Sequence, residues 1–170
     1  MPRLFVAVWP PDDVLDLVAG LERREVAGLR WTTRDQWHVT LRFLGQVADV
    51  EAVKAALSGL DAGAAAARLG PAVDRFGRRI LHVPVAGLDG IATDVVRVTA
   101  ALGTPPDDRP FRGHLTLARV GERSTVDLRA HAGALVSATW AVSEVSLVES
   151  RLSSHGARYG VVDRFPLTNP

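Results

Sequence analysis

The sequence predicts an α+β fold of two pseudo-duplicated lobes, with antiparallel sheets lining a central cleft and helices on the outside. Three observations carry that expectation. Strand and helix signals do not alternate one for one, which argues against a doubly wound parallel sheet. Their order of strand, helix, strands, helix runs through roughly twice. The stretch WHVTLRFLG at Trp37 to Gly45 also returns, loosened, as GHLTLARVG at Gly113 to Gly121, at a comparable point of each half.

Leu4 to Trp9 reads as a buried strand. PPDD then opens a helix from Asp13 to about Ala27, with proline near its first turn and acids at its positive end. RWTT and QWHVTLRFLG are the next strand signals, and VADVEAVKAALSGL after Gly45 is an Ala-rich amphipathic helix. Gly59 to Gly70 is rich in small residues, with a strand near its end and another at RRILHVPV. LDGIATDVVRVTAAL is a further helix, closed by Gly103 and the loop TPPDDRP. GHLTLARVG follows, then a short helix about Val126 to Leu135, then WAVSEVSLVES and RYGVVDRFPL as strands.

At 170 residues, 47% hydrophobic, the chain suits one domain over 1–170 whose two lobes share a core, since no linker separates them. Net charge is only +1, so contact with a polyanion has to be local. All basic residues but Lys54 are Arg, which a composition biased toward Arg, Ala, Gly and Val explains better than phosphate binding. The absence of cysteine excludes disulfides, thiolate metal sites and Cys nucleophiles. MPRLFVAVWPP holds an apolar run too short for a signal or membrane segment, so a soluble, cytoplasmic protein is expected, and a monomer.

Side chains alternate along a strand, so His38, Thr40 and Arg42 share one face and Trp37, Val39, Leu41 and Phe43 the other. In the second copy His114 and Thr116 oppose Leu115 and Leu117, and Arg119 has the wrong parity to join His114 unless the strand ends or bulges. With ten threonines in the chain, two His-x-Thr hits among five histidines are roughly a 3% accident, before the shared Leu is counted. The bland alternative is a pair of sheet residues bonded to one another.

Two imidazoles with ordinary values near ~6.5 can coexist as one neutral base and one protonated acid. That division suits in-line displacement at phosphorus, with hydroxyls and an Arg holding the non-bridging oxygens and no metal or other cofactor required. Zinc ligation is the competing reading, but neither copy brings a carboxylate or Cys at ligand spacing.

The sequence resembles the 2H phosphoesterase superfamily, and within it the RNA 2′,3′-cyclic phosphodiesterases, also known as 2′-5′ RNA ligases. The resemblance rests on RLFVAVWPP, WHVTLRFLG, FRGHLTLARV and SLVESRLSSHGARYGVVDRFPL, in the family's order over nearly the whole chain. It implies a two-lobed fold, one HxTx motif from each lobe, and hydrolysis of a terminal 2′,3′-cyclic phosphate to a 2′-phosphomonoester in RNA processing. By position, it makes His38 the proton donor to the leaving 3′ oxygen and His114 the proton acceptor that activates water. Thr40 and Thr116 match its phosphate-binding hydroxyls, and Arg119 its phosphate-reaching basic residue. Gly113, where many relatives have Pro, implies a looser approach to the second motif. RNA ends or nucleotide cyclic phosphates are the expected partners. A change of substrate to small cyclic phosphates or 2′,5′ oligonucleotides, ligation as the reverse step, and a nucleotide- or RNA-binding module without turnover are the rivals.

Among the remaining residues, Arg42 is a candidate contact to RNA backbone, with a solvated strand Arg as an equal alternative. His82 in ILHVPV reads as a hydrogen-bonded strand histidine, His131 as a solvated helix residue and His155 as a turn residue. Trp37 and Phe43 read as core.

Overall fold

The computed structural model describes residues 1–168. Its strands are β1 (Arg3–Val8), β2 (Leu29–Trp31), β3 (Val39–Gln46), β4 (Ala65–Leu69), β5 (Asp74–Phe76), β6 (Ile80–Ala86), β7 (His114–Val120), β8 (Ala138–Val142), β9 (Glu144–Ser153) and β10 (Gly156–Pro166). The helices are α1 (Asp12–Ala19), α2 (Val50–Ser58) and α3 (Asp89–Thr99). The strands join in the order β10-β9-β1-β3-β7-β6-β4-β8, with β2 added beside β7 and β5 beside β6. Every named pair is antiparallel.

The expected duplication is visible in the chain path. β1, α1 and β3 form an antiparallel strand pair with an intervening helix, and β6, α3 and β7 repeat it. The halves meet where Val39 of β3 pairs with Leu115 of β7, the only register pair between the motif strands. Both residues are fully buried, and one apolar cluster runs through both lobes, from Val6 and Leu44 to Val83 and Leu117. β3 and β7 pair nowhere else, and the cleft draws lining residues from both.

Two helices are shorter than their sequence signals. α1 stops at Gly20 instead of Ala27, because residues 22–27 carry only Val26 as a large apolar side chain and have no face to bury. The helix expected over Val126 to Leu135 is a single 3₁₀ turn, Leu128–His131. Its apolar residues, Val126, Leu128, Ala130 and Ala132, recur every second position, and only Leu128 of the turn is buried. The segment read as one strand at WAVSEVSLVES is two, β8 and β9, in different parts of the sheet. No helix among the described residues is long and apolar enough to cross a membrane.

Candidate active site

Each motif strand carries an extra residue at the same place, three positions after its histidine, and β3 has a second one further on, at Leu44. On β3, Thr40 pairs with Ala7 and Arg42 with Val6, so Leu41 is inserted. On β7, Thr116 pairs with His82 and Ala118 with Leu81, so Leu117 is inserted. A bulge restarts the alternation one residue out of step. The fourth residue after each histidine, Arg42 or Ala118, therefore turns into the interior, and the fifth, Phe43 or Arg119, turns to the cleft.

This resolves the parity objection to Arg119, which lines one cleft of about 470 Å³ together with His38, Thr40, His114 and Thr116. It also corrects two expectations. Arg42 is not at the cleft: it is 5% exposed, and its guanidinium donates to Thr99 Oγ1 at 2.9 Å and to the carbonyls of Val96, Leu102 and Thr104 at 3.0–3.3 Å. Those acceptors lie at and beyond the C-terminal turn of α3, where backbone carbonyls lack intrahelical donors and a cation is favoured. Phe43 is not core: it is 45% exposed, faces the cleft, and has the Arg3 guanidinium 4.9 Å from its ring centre. The matched spacing from the two histidines was the available signal for Phe43, hidden by assuming an unbroken strand.

The bulge on β7 has a visible support from the other lobe. Thr32 N–H donates to Leu117 O at 2.8 Å, and its hydroxyl shares a proton between the carbonyls of Thr116 and Leu117 at 2.8 and 2.9 Å. Trp37, buried just before His38, donates its indole N–H to the same hydroxyl at 3.0 Å. The backbone distortion that aims Arg119 is thus tied to the residue preceding the first motif.

Both imidazoles are held alike. His38 Nδ1 lies 2.8 Å from Gln36 O, and His114 Nδ1 lies 2.8 Å from Arg112 O, the carbonyl two residues upstream in each case. A carbonyl only accepts, so each Nδ1 carries the hydrogen and each Nε2 is left as the titrating atom. His38 Nε2 is 3.0 Å from Thr40 Oγ1 on its own strand. The ring is walled by Phe5, Trp9 and Tyr159, with ring centres at 4.9–5.0 Å, and this burial, with smaller contributions from Arg119 and His114, lowers its pKa from 6.5 to about 4. His114 is also lowered, by burial first and then by Arg119 and Arg112, against the raising effect of the Arg112 carbonyl.

Gly113 does not loosen the second motif, contrary to expectation. Its carbonyl accepts from Val85 N–H at 2.9 Å, and a Cβ there would collide with Val85 O. The approach to His114 is laid flat on β6.

Behind His114 stands His82, which is not hydrogen-bonded as expected: it is 2% exposed and neither ring nitrogen has a partner. It stacks on Phe76 at 3.8 Å between ring centres and meets His114 edge-on at 5.4 Å. Burial first, then His114, lowers its pKa from 6.5 to about 4. Between those values the unfolded chain binds a proton that the folded chain excludes. The contribution to stability is therefore intact above pH 6.5 and is lost as pH falls from 6.5 toward 4. His82→Phe keeps the stack and removes both orphan nitrogens. On going from about pH 7 to about pH 4.5 in denaturant titrations, the wild type should lose about 2 kcal/mol more than this variant; equal losses would remove His82 from the acid response.

Two strand-borne His-x-Thr pairs line one cleft with Arg119 and, among the described lining residues, no carboxylate, an arrangement that fits the 2H phosphoesterase superfamily. The model of the LigT like Phosphoesterase family matches residues 8–77 and 83–159, and the chain belongs to that family. TT0787 of Thermus thermophilus is similar in structure, with 27% identity and a TM-score of 0.80 over 98% of both chains. So is E. coli LigT, crystallised with 3′-AMP, with 27% identity and a TM-score of 0.75 over 99% of both chains. The ns2 PDE domain of MHV, at 17% identity and a TM-score of 0.53 over 87% of this chain and 99% of that one, shares the fold. No curated protein sequence matches the chain.

Proposed function

We propose that the protein hydrolyses RNA terminal 2′,3′-cyclic phosphates to 2′-phosphomonoesters, with His38 as proton donor and His114 as proton acceptor. The single observation that carries this reading is the matched tethering of both rings through Nδ1, which leaves two Nε2 atoms to exchange protons over one cleft. Water gives its proton to His114 Nε2 and attacks phosphorus; the bond from phosphorus to O3′ breaks on the far side, and O3′ takes the proton of His38 Nε2. Thr40, Thr116 and Arg119 hold the non-bridging oxygens as charge builds on them. Phe43 offers an exposed aromatic face at the end of the cleft remote from Arg119, suited to a stacked base. That E. coli LigT was crystallised with 3′-AMP supports a nucleotide ligand for this protein as well.

The pH optimum shifts with the environment of the rings. An acid–base pair gives a bell whose limbs in kcat/KM report the free enzyme. Both histidines lie below 6.5 there, so the maximum of kcat/KM falls on the acid side of 6.5 instead of around neutrality. A bound phosphate anion beside each Nε2 favours its protonated form, so the profile of kcat should lie at higher pH.

The deciding experiment incubates the protein with an oligonucleotide ending in a 2′,3′-cyclic phosphate and identifies the product isomer. A 2′-monophosphate is expected. A 3′-monophosphate would reverse the assigned departure of O3′, and activity abolished by EDTA would return the histidine pair to metal ligation.

A further inference from the structure

The cleft carries more positive charge than one cyclic phosphate uses. Arg3, Arg30 and Arg119 line it, and no Asp or Glu does among the described residues. Within the described residues none of the three is ion-paired. A 2′,3′-cyclic phosphate brings a single negative charge. Arg119 answers it, which leaves the other two guanidinium groups without a counterpart in the reacting group.

Arg30 is the more constrained of these. It sits directly opposite Arg119 in the β2–β7 register, where like charges repel. The fold holds it there all the same. Gly156, with φ +106°, lies against its guanidinium, and a Cβ at 156 would overlap Arg30 Nη2. Gln36 holds the β9–β10 hairpin by donating Nε2–H to Ala157 O at 2.7 Å, while its backbone carbonyl accepts from His38 Nδ1. One residue therefore holds both the first histidine and the hairpin against which Arg30 packs. Arg3, by contrast, lies over Phe43 toward the other end of the cleft.

We propose that Arg30, packed against Gly156 of the β9–β10 hairpin, binds a second phosphate of the substrate, the 5′ phosphate of the terminal nucleotide, so that the site selects an RNA chain end over a free cyclic mononucleotide. This rests on the hydrolase reading above and adds a ligand group to it. With Arg119 engaged on the cyclic phosphate and Arg30 on the 5′ phosphate, each guanidinium gains its own charge-assisted contact, and the cross-strand repulsion between them is offset. The 5′ phosphate is present in every chain end and absent from a 2′,3′-cyclic mononucleotide, so the discrimination follows from chemistry without base reading.

The test separates binding from turnover. Calorimetric titration compares adenosine 2′-monophosphate with adenosine 2′,5′-bisphosphate on wild type, Arg30→Ala and Gly156→Ala. The wild type is expected to prefer the bisphosphate roughly tenfold or more, and Arg30→Ala to lose that preference. Gly156→Ala keeps the charge but displaces it and should lose most of the same preference. In parallel, kcat/KM is measured for 2′,3′-cyclic AMP and for a dinucleotide ending in a 2′,3′-cyclic phosphate, with the ratio between them expected to shrink in Arg30→Ala. Absence of preference in the wild type, or preference that survives Arg30→Ala, overturns the assignment; preference that survives Gly156→Ala overturns the fixed placement. Turnover of neither substrate would sink the hydrolase reading, while the calorimetric comparison still decides the role of Arg30.

Discussion

Replacing His114 with alanine is expected to lower kcat on an RNA 2′,3′-cyclic phosphate by about 10³-fold, and replacing His38 by a similar factor, because each ring moves one proton in the same displacement. The double variant should be scarcely worse than either single one, since acid and base act on one event and their losses do not add. Each single variant should also lose one limb of the pH–rate bell, which a purely structural role would leave in place. Neither substitution should unfold the protein: both rings border the cleft, and the strands that carry them are anchored by Val39 and Leu115, which stay buried. Thermal melting alongside single-turnover kinetics checks both halves of this statement. Activity within a few-fold of wild type in either variant would break the paired-histidine assignment.

How much of this was legible in the sequence depends on how local each feature is. The buried strand at Leu4 to Val8, the Ala-rich α2 and the apolar stripe of α3 are written in nearby residues, and they formed within a few positions of their signals. The grouping of His38 with Thr40, and of His114 with Thr116, needed only two-residue periodicity, which holds up to the bulges. Beyond Leu41 and Leu117 it fails, because a bulge depends on what a partner strand offers. Thr32, which binds the distorted carbonyls of β7, lies 84 residues from Thr116 in the chain. No window along β7 contains that information, so an unbroken alternation turns Arg42 toward substrate and cannot place Arg119. His82 shows the opposite failure. Its apolar neighbours correctly signalled burial, but the expectation that a buried imidazole finds a partner does not hold beside Phe76 and His114.

The bulge makes the two motif-region arginines separable by experiment. Arg42→Ala removes the donors to three backbone carbonyls and Thr99 and leaves a hole beneath the C-terminal end of α3. Orphaning one buried and three part-buried acceptors at once, with the lost packing of a buried side chain, should cost about 3 kcal/mol, read as a lower midpoint in urea. Arg42→Met, which refills much of the volume without donors, should recover only part of that loss, because the unpaired carbonyls remain. The folded fraction of either variant should hydrolyse substrate with nearly wild-type kcat. Arg119→Ala should do the reverse: its side chain is exposed to the cleft, so stability should hardly change, while kcat falls about 10²-fold for want of a cation on the phosphoryl oxygens. Were β3 an unbroken strand, Arg42 would point at substrate, and its loss would show in KM or kcat with little change in stability. Were β7 unbroken, Arg119 would be the buried one. The crossed pattern, stability from one arginine and turnover from the other, is therefore a direct readout of the inserted leucines at 41 and 117.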